Sequence, residues 1–144
     1  MILDRSTGDE QHDHWDDDPK SDTLQPQLSH VSPQERTDRY GQQPATLLLT
    51  GLTGSGKTTL AYALERRLFD LGQACNVLDG QNMRVGISKD LGFTAEDRSE
   101  NLRRTAEVAK LLNDAGLVCI AAFVAPSEEV RQRAGEVVGA ERFL

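Results

Sequence analysis

The chain has 144 residues, a formal charge of −7 and 38% hydrophobic residues, enough for one small domain. Residues 1–43 carry ten acids and four bases, whereas residues 44–144 carry thirteen acids and twelve bases. The acidity belongs to the leader, which argues against a nucleic-acid partner, and the longest apolar stretch, Gly116 to Pro126, is too short to cross a bilayer.

Residues 6–43 are rich in Asp, Gln, Ser and Pro and poor in aliphatics. Such a segment cannot bury enough to offset its ordering entropy, so a mostly disordered linker is expected. His12, Asp13 and His14, with Asp16, Asp17 and Asp18, have metal-ligand chemistry, but no scaffold is visible and a solvated acidic tract is the expectation. The single tryptophan, Trp15, receives no role. Residues 32–40 read as a short capped helix with Pro33 at its first position.

From Pro44 onward strands and helices alternate. Ala45–Thr50 is a short apolar run that suits a buried parallel strand. Residues 51–58, Gly-Leu-Thr-Gly-Ser-Gly-Lys-Thr, form a complete phosphate-binding loop of the form G-x-x-x-x-G-K-[ST]. Its glycines let successive N–H groups face an anion. Lys57 would reach the β- and γ-phosphates, and the Thr58 hydroxyl would hold Mg²⁺. The loop opens a helix whose dipole favours negative charge. That helix runs from Thr59 to Phe69 and stops near Gly72.

Ala74–Asp79 is the second strand, followed by an irregular stretch with Gly80, Gly86 and Gly92. A long helix is expected from about Ala95 to Ala115, capped by Thr94, with Leu102, Ala106, Ala109 and Leu112 as its buried stripe. The third strand is Leu117–Val124. Pro126 ends it, and Ser127 caps a helix through Val138. Arg142–Leu144 reads as the first step of another strand. This alternation predicts an α/β fold with a parallel sheet and helices on both faces. Three strands and a stub are few for that class, so the domain over 44–144 is expected to be cut short at its C-terminus.

In such sheets ligands bind at the carboxyl ends of the strands, which brings Asp79 near the phosphate loop. Its carboxylate suits a general base or a Mg²⁺ ligand, and equally an N-cap of the next turn. Arg84, Lys89, Arg98, Arg103 and Arg104 follow. Arginines near a phosphate site often bind a second anionic group, but Arg103 and Arg104 read as a solvent-facing pair or as partners of Glu100 and Glu107. Cys75 and Cys119 read as small core residues in a reducing cytosol, not as a disulfide.

Several motifs then line up with one family. Gly51 to Thr59 resembles the opening motif of adenylylsulfate (APS) kinases, and Leu78-Asp79-Gly80-Gln81-Asn82-Met83-Arg84 resembles their second. Asp90-Leu91-Gly92-Phe93 and Asp97 to Arg104 resemble the third and fourth, and Glu107 to Lys110 and Asp114 to Gly116 continue the match. The resemblance covers about residues 44–144 without a gap. It implies a P-loop nucleotide-kinase-like fold and transfer of the γ-phosphate of MgATP to the 3′-hydroxyl of adenylylsulfate, as part of sulfate activation. By position, Gly51, Leu52, Thr53, Gly54, Ser55, Gly56, Lys57, Thr58 and Thr59 would hold ATP, and Lys57 and Asp79 would act in catalysis. Thr58 would serve Mg²⁺. Arg84, Phe93, Arg98 and Asn101 match the family's adenylylsulfate contacts. Phe93 would stack on adenine, and the two arginines would meet the phosphosulfate.

The resemblance also implies a homodimer in many members. The leader is similar to the approach to the kinase in bacterial fusions with the large subunit of sulfate adenylyltransferase, with Met1-Ile2-Leu3-Asp4-Arg5 resembling the end of that subunit. Three positions depart from the pattern. Gln81 stands where the family usually has Asp, which leaves more of the Mg²⁺ and base role to Asp79. Ala125 stands where many members have Ser. The family's later strands and ATP lid lie past Leu144, so weak activity is expected of this piece, with a non-catalytic nucleotide-binding or docking remnant as the alternative.

Overall fold

A computed structural model describes residues 12–144. The expected likeness of residues 1–5 to a preceding domain, and the start of the linker, lie outside the described residues. Residues 12–31 contain turns but no helix or strand, and most of their side chains are exposed. Helix α1, Pro33–Tyr40, follows the capping-box pattern: the Ser32 hydroxyl accepts from the Glu35 N–H, and the Glu35 carboxylate accepts from the Ser32 N–H. Gly41 closes it at φ 66°.

The rest is a βα repeat. Strand β1 is Thr46–Thr50, helix α2 is Lys57–Asp70, strand β2 is Cys75–Asp79, helix α3 is Gly80–Val85, helix α4 is Ala95–Asp114, strand β3 is Val118–Phe123 and helix α5 is Glu128–Val138. The sheet order is β1-β3-β2, with β3 in the centre and both neighbours parallel to it. The expected irregular stretch after β2 begins instead with the short helix α3, because the Asp79 carboxylate caps it. Helix α2 starts two residues earlier than expected, at Lys57, since the loop glycine Gly56 serves as its N-cap.

All six residues of β3 are buried, and their alternation builds two cores. Cys119, Ala121 and Phe123 face Leu102, Ala106 and Ala109 of α4 and Ala134 and Val138 of α5. Ile120 and Ala122 face Ala61, Leu64 and Leu68 of α2. The sheet is therefore covered on both faces. Leu112, expected in the α4 stripe, is partly buried, and the fully buried positions also include Asn101, Thr105 and Asn113. Cys75, expected in the core, is only half-buried because β2 borders the described sheet.

The expected strand stub is present as a parallel bridge between Thr46 and Phe143. Thr46 donates to Arg142 at 2.7 Å, and Leu144 donates to Thr46 at 2.9 Å. At the same end of the sheet, buried amides staple the strand starts. Gln42 donates to the carbonyls of Ala74 (2.9 Å) and Gly116 (2.8 Å) and accepts from the Ala74 N–H. Asn113 accepts from Thr46 and donates to Ala45 and Leu117. Each buried polar group thus finds a partner where β1, β2 and β3 begin, which leaves their carboxyl ends free for a site.

Candidate active site

One cleft opens at the carboxyl ends of the strands. Its walls are Thr53, Gly54, Lys57 and Thr58 from the phosphate loop, Asp79, Gly80, Gln81 and Arg84 from β2 and α3, Phe93 and Arg98, and Ala122, Phe123 and Val124. The loop reverses between β1 and α2 with Gly54 at φ 81° and Gly56 at φ 89°. A side chain at either position would be strained in the left-handed region, so the pattern's glycines have a conformational reason. The loop is exposed, and the Lys57 ammonium donates to the Leu52 carbonyl at 3.2 Å. That contact is one an anion can replace.

Asp79 is the N-cap of α3, one of the two readings that position alone left open, and it also meets the phosphate loop. Its Oδ1 accepts from the N–H groups of Gln81 (2.9 Å) and Asn82 (3.2 Å), and its Oδ2 accepts from the Thr58 hydroxyl at 3.1 Å. One oxygen caps α3 while the other faces the phosphate loop. A hydroxyl and a carboxylate side by side are hard oxygen donors, and this donor set fits Mg²⁺. Tyr62, which no sequence motif singled out, accepts from the Asn82 side chain at 2.8 Å. Burial, and then the charges of Asp79 and Glu65, push its phenol above the ordinary range.

Across the cleft, the Arg84 guanidinium lies 4.6 Å from the Phe93 ring centre and that of Arg98 lies 5.9 Å from it. Arg84 is fixed by donating to the carbonyls of Gly92 (2.9 Å) and Gly80 (3.0 Å), and Arg98 donates to that of Phe93 at 2.9 Å. Burial first, and the Arg98 charge second, lower the pKa of Arg84. Two cations share a ring that is 64% exposed, an arrangement that a planar anionic ligand would relieve.

Asn101 is not in the cleft wall. It is fully buried and donates to the Gly80 carbonyl at 3.0 Å, and its own Oδ1 has no partner. Gln81 lines the cleft. Arg103 and Arg104 both engage Glu100, as expected, but Arg104 pairs most closely with Asp90 at 2.6 Å and not with Glu107. The loop from α3 to α4 brings Asp90 there, which helix spacing could not reveal. His12, His14 and Asp17 have ligand atoms within 4.8 Å of one another, all exposed. Asp17 accepts from both imidazoles, which lower its pKa.

No helix in the described residues is long and apolar enough to cross a membrane. The adenylylsulphate kinase family model matches residues 43–144. The chain is 55% identical over all its 144 residues to the bifunctional enzyme CysN/CysC of Rhodopirellula baltica, of which it covers 22%. It is 51% identical over 114 residues to the adenylyl-sulfate kinase of Phocaeicola vulgatus, covering 79% of this chain and 56% of that one. The chain thus spans only part of the length of these relatives. Among solved structures, the Mycobacterium tuberculosis APS kinase CysC in complex with AMPPNP and APS aligns with a TM-score of 0.66 and 42% identity, over 70% of this chain and 60% of that one. A hexameric APS kinase from Thiobacillus denitrificans aligns at 0.63 and 35% identity, over 70% of this chain and 21% of that one. With a family model over more than half its length and relatives above 50% identity, the chain belongs to the adenylylsulphate kinase family.

Proposed function

We propose that this chain carries the ATP and adenylylsulfate sites of an adenylylsulfate kinase, which moves the γ-phosphate of ATP to the 3′-hydroxyl of adenylylsulfate. The observation that carries this reading is that one cleft holds Lys57 and Thr58 on one side, Arg84, Phe93 and Arg98 on the other, and Asp79 between them. Phosphoryl transfer needs positioning and charge compensation more than covalent chemistry from the protein. Lys57 and the backbone N–H groups of Gly51 to Thr59 supply these to the phosphates. Phe93 offers a face to the adenine of adenylylsulfate, and Arg84 and Arg98 meet its phosphosulfate. Asn101, set behind the cleft, holds the Gly80 carbonyl and so the start of α3. Asp79 is the carboxylate that lines this cleft, and it would accept the hydroxyl proton. Thr58 and Asp79 would hold Mg²⁺, which when bound neutralises charge on the transferring phosphates.

The bifunctional relative supports association with sulfate adenylyltransferase, and the hexameric one supports self-association. The two free thiols suit a cytoplasmic location. One observation favours a second reading, a nucleotide-binding remnant without turnover: the cleft presents the Gln81 amide where the family usually has a carboxylate.

MgATP consumption with and without adenylylsulfate, in this chain and in Lys57→Ala, separates the two. Turnover that requires adenylylsulfate and falls by about 100-fold or more in Lys57→Ala is expected. ATP binding without any such turnover would leave only the remnant.

A further inference from the structure

Trp15 stands in the most polar part of the chain, between Asp13 and His14 on one side and Asp16, Asp17 and Asp18 on the other. The indole is nevertheless half-buried against the core shared by α4 and α5. Its Nε1–H donates to the Ser99 hydroxyl at 2.9 Å, a contact between residues 84 positions apart. Arg133 of α5 lies 3.4 Å from the carboxylates of both Asp13 and Asp16, and Asp13 also accepts from the Trp15 N–H at 2.7 Å. Ring and flanking charges therefore tie this turn to the same place, and the backbone contact holds the turn itself together. A half-buried indole with its N–H satisfied contributes more than the exposed ion pairs beside it.

The place bears on the cleft. Ser99 follows Arg98 directly on the second turn of α4. Ala95, Ser99 and Val130 border the Trp15 hollow and also the apolar hollow closed by Arg98 and Pro126. The indole thus bears on the start of α4, which carries a guanidinium facing Phe93. Helix α2 packs on the opposite face of the sheet and does not meet it.

We propose that residues 13–16 of the leader are a docking segment for the groove between α4 and α5, and that Trp15 is a positioning residue for the adenylylsulfate side of the cleft, acting through Ser99 on Arg98. The positioning role rests on the reading of that cleft as an adenylylsulfate site; the docking does not. Without the indole, the first turns of α4 lose a lateral support and Arg98 loses its fixed reach. The nucleotide phosphates, held from α2, are unaffected.

The single tryptophan makes docking directly readable in this chain. Expected are an emission maximum to the blue of that of the urea-unfolded chain and acrylamide quenching several-fold weaker than for free tryptophan. Quenching as free as that of tryptophan in water would overturn the docking. For positioning, Trp15→Ala is expected to raise the KM for adenylylsulfate about five-fold or more with the KM for MgATP unchanged. Trp15→Phe, which keeps an aromatic ring but loses the N–H donated to Ser99, should recover only the part owed to packing, and Ser99→Ala should give the rise owed to the hydrogen bond. If turnover is too slow, the dissociation constant for adenylylsulfate on the ADP–Mg²⁺ form is measured instead. Equal changes for both substrates, or none, would overturn the positioning role. Failure of the unaltered chain to bind adenylylsulfate would overturn the functional reading and the positioning role together, while the quenching result would stand by itself.

Discussion

Asp79 shows how a single side chain joins structure to chemistry. It is 93% buried yet every oxygen has a partner, two backbone N–H groups on Oδ1 and the Thr58 hydroxyl on Oδ2. Asparagine caps helices about as well as aspartate, so Asp79→Asn is expected to shift stability by less than about 0.5 kcal/mol, read from the urea midpoint. The charge facing Thr58 is lost all the same. Adenylylsulfate-dependent turnover is therefore expected to fall by about 100-fold or more, as for removal of a general base. Unchanged turnover in a folded Asp79→Asn chain would confine this residue to capping. The motif placed Asp79 at the strand end, but which oxygen serves which partner depends on how α2 and α3 meet.

At the scale of elements, the two capped helices differ in what rests on them. Helix α4 runs for 20 residues and buries Leu102, Ala106 and Ala109 against β3, and its N-cap Thr94 accepts from the Asp97 N–H at 3.1 Å. Helix α1 has 8 residues and buries none of them. Loss of a cap costs about 1 kcal/mol in either helix, but only α4 unfolds with the core. Thr94→Ala is expected to lower global stability by about that amount, read from the urea midpoint. Ser32→Ala is expected to leave the midpoint in place and to speed amide hydrogen exchange within α1. Equal midpoint shifts in the two variants would show that α1 belongs to the same cooperative unit.

For the whole molecule, the central strand decides behaviour. Cys119 sits in β3 with no exposed surface, and burial pushes its thiol up to about 12 from 9.0. The half-buried Cys75 is also raised, by burial first and the Glu65 charge second. Under native conditions alkylation is expected at Cys75 alone, with Cys119 reacting only on unfolding; mass spectrometry of the labelled peptides checks this. Because the folded-state pKa of Cys119 is raised, its contribution to stability is complete below pH 9 and is lost as the pH climbs from 9 toward 12, where the unfolded chain ionises first. A urea midpoint that falls over that range, and falls less in Cys119→Ala, is the expected signature.

Residue order alone determined most elements of the kinase-like part, the exception being the short helix α3, which was expected as an irregular stretch. Apolar runs of strand length, the phosphate-loop spacing and the Ser32, Thr94 and Ser127 caps act through neighbours within a few positions, so local sequence carries them. The parallel sheet followed from the alternation of those elements, and the cleft from the rule that ligands gather at strand ends. The tertiary structure alone decided the rest. The pairing of Arg104 with Asp90, the staples made by Gln42 and Asn113, and the placement of Asn101 behind the cleft are contacts between distant segments. Trp15 is the clearest case. Its polar neighbours describe a solvated tract, and only the groove between α4 and α5, assembled from residues more than eighty positions away, covers part of the indole.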